Sequence, residues 1–142
     1  MICTFFGHKD TPQSAKEKIK KTIMHLIDND GIIEFYLGNN GSYDAIVKHI
    51  LIELQKIYPQ IKYTIVLSYL PRENFEGFDS QNTIYPDGIE HVPFRFAIDW
   101  RNRWLVDKSD VVVTYVNRDF GGAAKFKRLA VKKRKRVIEI NE

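Results

Sequence analysis

The sequence predicts an α/β fold: a Rossmann-like three-layer sandwich built on a five-stranded parallel sheet. Five short apolar runs, at residues 2–6, 32–37, 63–67, 111–116 and 137–140, read as strands. Between them lie segments whose apolar residues recur at helical spacing. Strands that are apolar throughout and alternate with helices belong to a parallel sheet covered on both faces. Right-handed crossovers leave few arrangements, of which the order 3-2-1-4-5 is the simplest. Its switch point lies between the first and fourth strands, and ligands of such sheets bind beyond the carboxyl ends of the strands at that point.

Each element has its own warrant. The first run stops at Gly7, and Thr11 is placed to cap a helix with Pro12 at its first position, where a missing N–H costs nothing. Ala15, Ile19, Ile23, Leu26 and Ile27 form the apolar face of that helix, which Asn29-Asp30-Gly31 ends. The second run leads into Gly38-Asn39-Asn40-Gly41, after which Ser42 is the expected cap of a helix with Ile46, Val47, Ile50, Leu51 and Leu54 inward. Tyr58-Pro59 ends it, and the third run follows. Residues 70–92 then carry Pro71, Gly77, Pro86 and Gly88 without a sustained period, a length of connection that suggests a lid or binding loop. A helix over residues 94–107, the fourth run, a helix over residues 122–133 and the fifth run complete the alternation.

At 142 residues the chain fits a single domain over residues 1–142 with one sizeable core. No apolar run approaches a membrane span, so no membrane partner is expected. Met1 leads straight into the first strand without a charged n-region and cleavage site, so a cytoplasmic location is expected. The one cysteine, Cys3, sits inside that strand and reads as a buried apolar residue. The formal charge is +4, with Lys125, Lys127, Arg128 and the run Lys132-Lys133-Arg134-Lys135-Arg136 crowded near the end. Such a distribution suits anionic partners or simply a solvated face.

The residues able to carry chemistry gather in the loops after strands one, two and four. Gly38, Asn39, Asn40, Gly41 and Ser42 lie between a strand and a helix N-terminus, where backbone N–H groups and the helix dipole favour an anion. Gly121, Gly122 and Ala123 repeat that arrangement after the fourth strand. Gly7, His8 and Lys9 lie at the same edge of the sheet. Arg101 and Arg103 are two apart on a helix, so at most one of them faces the pocket. Asp44, in the first turn of its helix, either complements the dipole, accepts a hydrogen bond from a ribose hydroxyl, or orients a pocket arginine. His8, His25, His49 and His91 are scattered and no Cys/His spacing supports zinc, so no metal and no cofactor is expected. No nucleophile–base pair stands out, and Gly41-Ser42 is not a G-x-S-x-G elbow.

Taken in order, Cys3-Thr4-Phe5-Phe6-Gly7-His8-Lys9, Gly38 to Asp44, Arg101-Asn102-Arg103 through Ser109-Asp110, and Gly121-Gly122 resemble the SLOG superfamily. That superfamily includes the Lonely Guy phosphoribohydrolases, the Rossmann domain of the DNA-processing protein DprA, and small bacterial nucleotide-ligand sensors. The resemblance covers nearly the whole chain and implies a Rossmann-like domain that binds a nucleotide or nucleotide-derived ligand. It places Arg101 on the arginine that precedes strand four in the Lonely Guy enzymes. Their next motif, Pro-Gly-Gly-x-Gly-Thr-x-x-Glu, reads here Phe120-Gly-Gly-Ala-Ala-Lys-Phe-Lys-Arg128. Arg128 thus stands in place of the catalytic glutamate, and cleavage of an N-glycosidic bond needs a carboxylate near the ribose.

Three readings follow. The first is a cytoplasmic nucleotide-binding module, with the role of a sensor as one use of it. The second is a phosphoribohydrolase-like glycosidase acting on nucleoside monophosphates, with Arg101 and Asp44 as the catalytic candidates. The third is DprA-like nucleic-acid binding through the basic last helix, which only Phe126 interleaves with an aromatic ring. A homodimer is compatible with all three.

Overall fold

The computed structural model of the chain describes residues 1–68 and 82–140. The strands are β1 (Ile2–Gly7), β2 (Glu34–Leu37), β3 (Lys62–Val66), β4 (Thr83–Ile84), β5 (Val111–Tyr115) and β6 (Arg136–Glu139). The helices are α1 (Lys16–Asp30), α2 (Gly41–Gln55), α3 (Ala97–Lys108) and α4 (Gly122–Lys132).

Among the described residues the sheet has six strands, not the expected five, in the order β4-β3-β2-β1-β5-β6, and every pairing is parallel. The five long strands keep the anticipated order, with β1 between β2 and β5. The additional strand is β4, two residues that pair with Ile65 and Val66 of β3. Two residues are too few to show a period, and they lie in a Pro- and Gly-rich segment that reads as loop. The lid expected over residues 70–92 rests largely on residues 70–81, which lie outside the described residues. The remainder contains β4 and a 3₁₀ turn at Ile89–His91.

Alternation along the strands feeds two cores. Cys3 and Phe5 of β1 and Val111 and Val113 of β5 pack with Ile19 and Ile23 of α1 and Ile46 and Ile50 of α2. Phe6 and Val112, on the other face, pack with Leu105 and Val106 of α3 and Phe126 and Ala130 of α4. Helices therefore cover both faces of the sheet, which is the three-layer arrangement the apolar strands require. Cys3 is fully buried, and its burial pushes the thiol well above the usual range, so it packs as an apolar residue.

Two expected caps take other roles. Thr11 Oγ1 donates to His8 O at 2.6 Å, closing a turn, and a 3₁₀ turn at Gln13–Ala15 precedes α1. Ser42 Oγ donates to Thr11 O at 2.6 Å, so the hydroxyl ties the β2–α2 loop to the β1–α1 loop. Asn40 occupies the α2 N-cap without a side-chain cap bond. Both hydroxyls are drawn away by acceptors outside their own helices, which helix-capping patterns do not reveal. Gly31 does end α1, with φ 65° and its N–H on Leu26 O.

Candidate functional site

A cavity of about 500 Å³ opens beyond the carboxyl ends of β1 and β5, at the switch point of the sheet. The N-termini of α2 and α4 face it from either side. Of the residues expected at the site, Gly7, His8, Lys9, Gly38, Asn40, Asp44, Arg101, Gly121, Gly122 and Ala123 line it. Asn39, Gly41, Ser42 and Arg103 do not.

The floor of the cavity depends on a close approach. Gly7 ends β1 beneath the ring of Tyr43, and a Cβ there would lie 2.2 Å from that ring. Tyr43 in turn donates to Val113 O at 3.1 Å, fixing α2 against the sheet. His8 is buried, and its Nε2 accepts the Asn117 N–H at 3.1 Å. Burial and the nearby Arg118 lower the pKa of His8, favouring the neutral ring that this bond requires. His8 thus clips the end of β1 to the loop after β5.

At the N-terminus of α2 two backbone N–H groups are taken by the protein itself. Asn40 N–H donates to Asp44 Oδ2 at 2.9 Å, and Ser42 N–H donates to Lys9 O at 2.8 Å. Gly41, at φ 90°, lies so close to Lys9 that a Cβ would come within 2.8 Å of its backbone. Burial raises the Asp44 carboxyl to about 6, while the Asn40 N–H and the field of Arg101 act against that rise.

Arg101 is 1% exposed and is the largest fully buried side chain among the described residues. Its Nη1 donates to Val66 O at 2.8 Å and to Asn39 Oδ1 at 3.3 Å. Its Nη2 donates to Asn40 Oδ1 and its Nε to Asn102 Oδ1, each at 2.8 Å. One guanidinium thereby joins α3, the end of β3 and the β2–α2 loop. Gly38 is glycine because a Cβ would stand 3.0 Å from Asp44 Oδ2 and 3.1 Å from Arg101 Cζ. Arg103, two residues on, points the other way and donates from Nε to Asp99 Oδ2 at 2.8 Å.

The N-terminus of α4 is different. Gly121 adopts φ 92°, and space over both Gly121 and Gly122 is open to beyond 4 Å. Its N-cap is Gly121, which has no side chain to offer, and Lys125 N–H donates to Gly121 O at 3.1 Å. The backbone donors of the first turn therefore sit at the positive end of the dipole beside the cavity.

Sequence reasoning missed other parts of the wall as site residues. Arg118 and Lys125 line the cavity, as do Asp99 and Asn102. Phe6, Ile98, Leu105 and Phe126 give it an apolar side, where Phe6 and Phe126 stack at 5.4 Å. Two signals were available: Arg118 lies in the loop after the fourth strand, and Lys125 lies three residues after Gly122 in the first turn of the helix that follows.

Much of the basic charge near the chain's end is engaged within the molecule. Lys127 pairs with Glu139, Lys133 with Asp107, and Arg136 with Asp30. Arg128 donates to Asp119 O at 3.0 Å. Among the described residues no group of three His, Cys, Asp or Glu is placed to hold a metal ion, and no helix is long and apolar enough to cross a membrane. No protein-family model and no curated protein sequence matches the chain.

Proposed function

We propose that this protein is a SLOG-like module that binds a nucleotide or nucleotide-derived ligand in the cavity at the switch point. The observation that carries this reading is the lining of the cavity: the N-terminus of α4, where the N-cap Gly121 has no side chain to offer, shares it with Lys9, Arg118 and Lys125. Together these suit the phosphate of a ligand. The apolar side formed by Phe6, Leu105 and Phe126 suits a base. Arg101 serves the site by holding Asn40 and the β2–α2 loop in place.

One observation favours a second reading, a phosphoribohydrolase-like glycosidase. Asp44 lines the same cavity, and a carboxyl held near 6 suits a general acid acting at the ribose. Arg128 cannot supply the carboxylate, because a guanidinium neither accepts nor readily releases a proton.

The test pairs calorimetric titration of nucleoside monophosphates, nucleosides and inorganic phosphate with chromatography for free base. Monophosphate binding without turnover, weakened about ten- to a hundredfold by Lys125→Met, is the expected result, the loss corresponding to one charge-assisted contact. Free base from the wild type, absent in Asp44→Asn, would establish the glycosidase instead. Failure of every phosphate compound to bind at millimolar concentration would refute both.

A further inference from the structure

Two of the cations on the cavity wall are already holding carboxylates. Lys125 Nζ donates to Asp99 Oδ1, and both residues line the cavity. The other oxygen of Asp99 accepts from Arg103 Nε at 2.8 Å, so the carboxylate sits between α3 and α4 at the side of the cavity. Across the opening, Arg118 grips Asp10 with both terminal nitrogens, at 2.7 and 3.3 Å. Neither carboxylate is deeply buried: the side chains of Asp99 and Asp10 are 37% and 72% exposed.

From this geometry we infer that Asp99, with Asp10 as a weaker second, is an internal competitor for the ligand's anionic group, which must take Lys125 and Arg118 from them. The inference rests on the anion-binding reading above. Its physical basis is exchange. An exposed ion pair is worth little in water, so a carboxylate can let go of its cation at small cost. A phosphate offers the same cation more charge and more acceptor oxygens than a carboxylate does. In the arrangement described, the two carboxylates hold the lysine and arginine along the wall. When a phosphate arrives, Lys125 turns from Asp99 to the ligand, and Asp99 keeps Arg103. Burial acts to raise the Asp99 carboxyl, but hydrogen bonds from Lys125 and Arg103 outweigh it and hold the group below the usual carboxylate range. Asp99 therefore competes in its charged form throughout the neutral range. Asp99 sets the affinity for anions without contacting the ligand, which makes it a specificity-determining residue of unusual sign: its loss tightens binding.

Calorimetric titration with inorganic pyrophosphate at low ionic strength reads this directly, with wild type, Asp99→Asn, Lys125→Met and the double variant. Asp99→Asn is expected to bind pyrophosphate about two- to fivefold more tightly than wild type, the range that an exposed pair supports. The gain should vanish in the Lys125→Met background, since nothing is then left to compete for. Asp10→Asn, at the more exposed of the two positions, is expected to give a smaller gain in the same direction and serves if Asp99→Asn is poorly folded. Binding by wild type with equal or weaker binding by both aspartate variants would overturn the inference and leave the anion-binding site standing. A gain that persists without Lys125 would also overturn it, because that would be a general effect of net charge. No pyrophosphate binding by any variant would remove the inference together with the reading it rests on.

Discussion

The N-termini of α2 and α4 look alike as sequence, each introduced by a pair of glycines after a strand, and they face one cavity. They are built oppositely. At α2, Asn40 N–H is taken by Asp44, Ser42 N–H by Lys9 O, and Arg101 holds both asparagine side chains. At α4 the N-cap Gly121 has no side chain to offer, and the space above Gly121 and Gly122 is open. A glycine before a helix can thus serve either of two needs. At Gly38 it makes room for the protein's own Asp44 and Arg101, and at Gly121 it leaves room for something else. The start of α2 is a brace and the start of α4 is the receptor in the function proposed above, so damage to them should appear in different measurements.

Arg101→Leu should give the largest effect, because it strikes the brace at its centre. It takes the guanidinium from Val66 O and removes the charge that offsets Asp44, so a loss of about 3–5 kcal/mol in urea denaturation is expected. A loss under about 1 kcal/mol, with pyrophosphate binding abolished, would reverse the comparison and make Arg101 a ligand residue.

The brace also carries a pH signature. Asp44 releases its proton near 6 in the folded protein and near 3.8 in the unfolded chain. Between those values the folded state holds the extra proton, so this group makes stability fall as pH rises through that window, by up to about 3 kcal/mol. Asp44→Asn should remove that fall. Denaturation midpoints of the two proteins at about pH 4 and pH 7, on either side of that window, give the answer. Equal pH dependence would mean that Asp44 is not held as described.

Substituting the glycines compares the two helix starts directly. Gly38→Ala must push a methyl against Asp44 and Arg101, at a cost of about 1–3 kcal/mol. Gly122→Ala meets nothing within 4 Å and begins a helix, so stability should stay within about 0.5 kcal/mol of wild type. Thermal melts separate the two. The smallest effect on stability should be accompanied by the clearer effect on binding, since Gly122 lines the cavity. An alanine at 122 that leaves pyrophosphate binding untouched would argue that the start of α4 is not the receptor.

What could be read from the chain depended on how local the cause was. The five long strands and their order were legible because apolar runs and crossover handedness are properties of the sequence and of backbone chirality. The separation of Arg101 from Arg103 was legible for the same reason, since helical spacing alone turns them to different sides. β4 was not legible, because a two-residue strand exists only where β3 offers an unpaired edge. Thr11 and Ser42 misled as caps because each hydroxyl found a carbonyl outside its helix, and that of Ser42 belongs to a loop that becomes a neighbour only after folding.

The sequence by itself determined the layered α/β fold, the edge of the sheet at which the loops after β1, β2 and β5 gather, and the glycines that introduce α2 and α4. Tertiary structure alone decided which of those helix N-termini is filled. Asp44 and Arg101 are far apart in the chain, and only the packing of α3 beside the end of β3 brings that guanidinium to the β2–α2 loop. The same packing sets Asp99 of α3 against Lys125 of α4 at the side of the cavity. Spacing rules act over one or two turns of chain, whereas desolvation and ion pairing depend on what folding brings within a few ångströms.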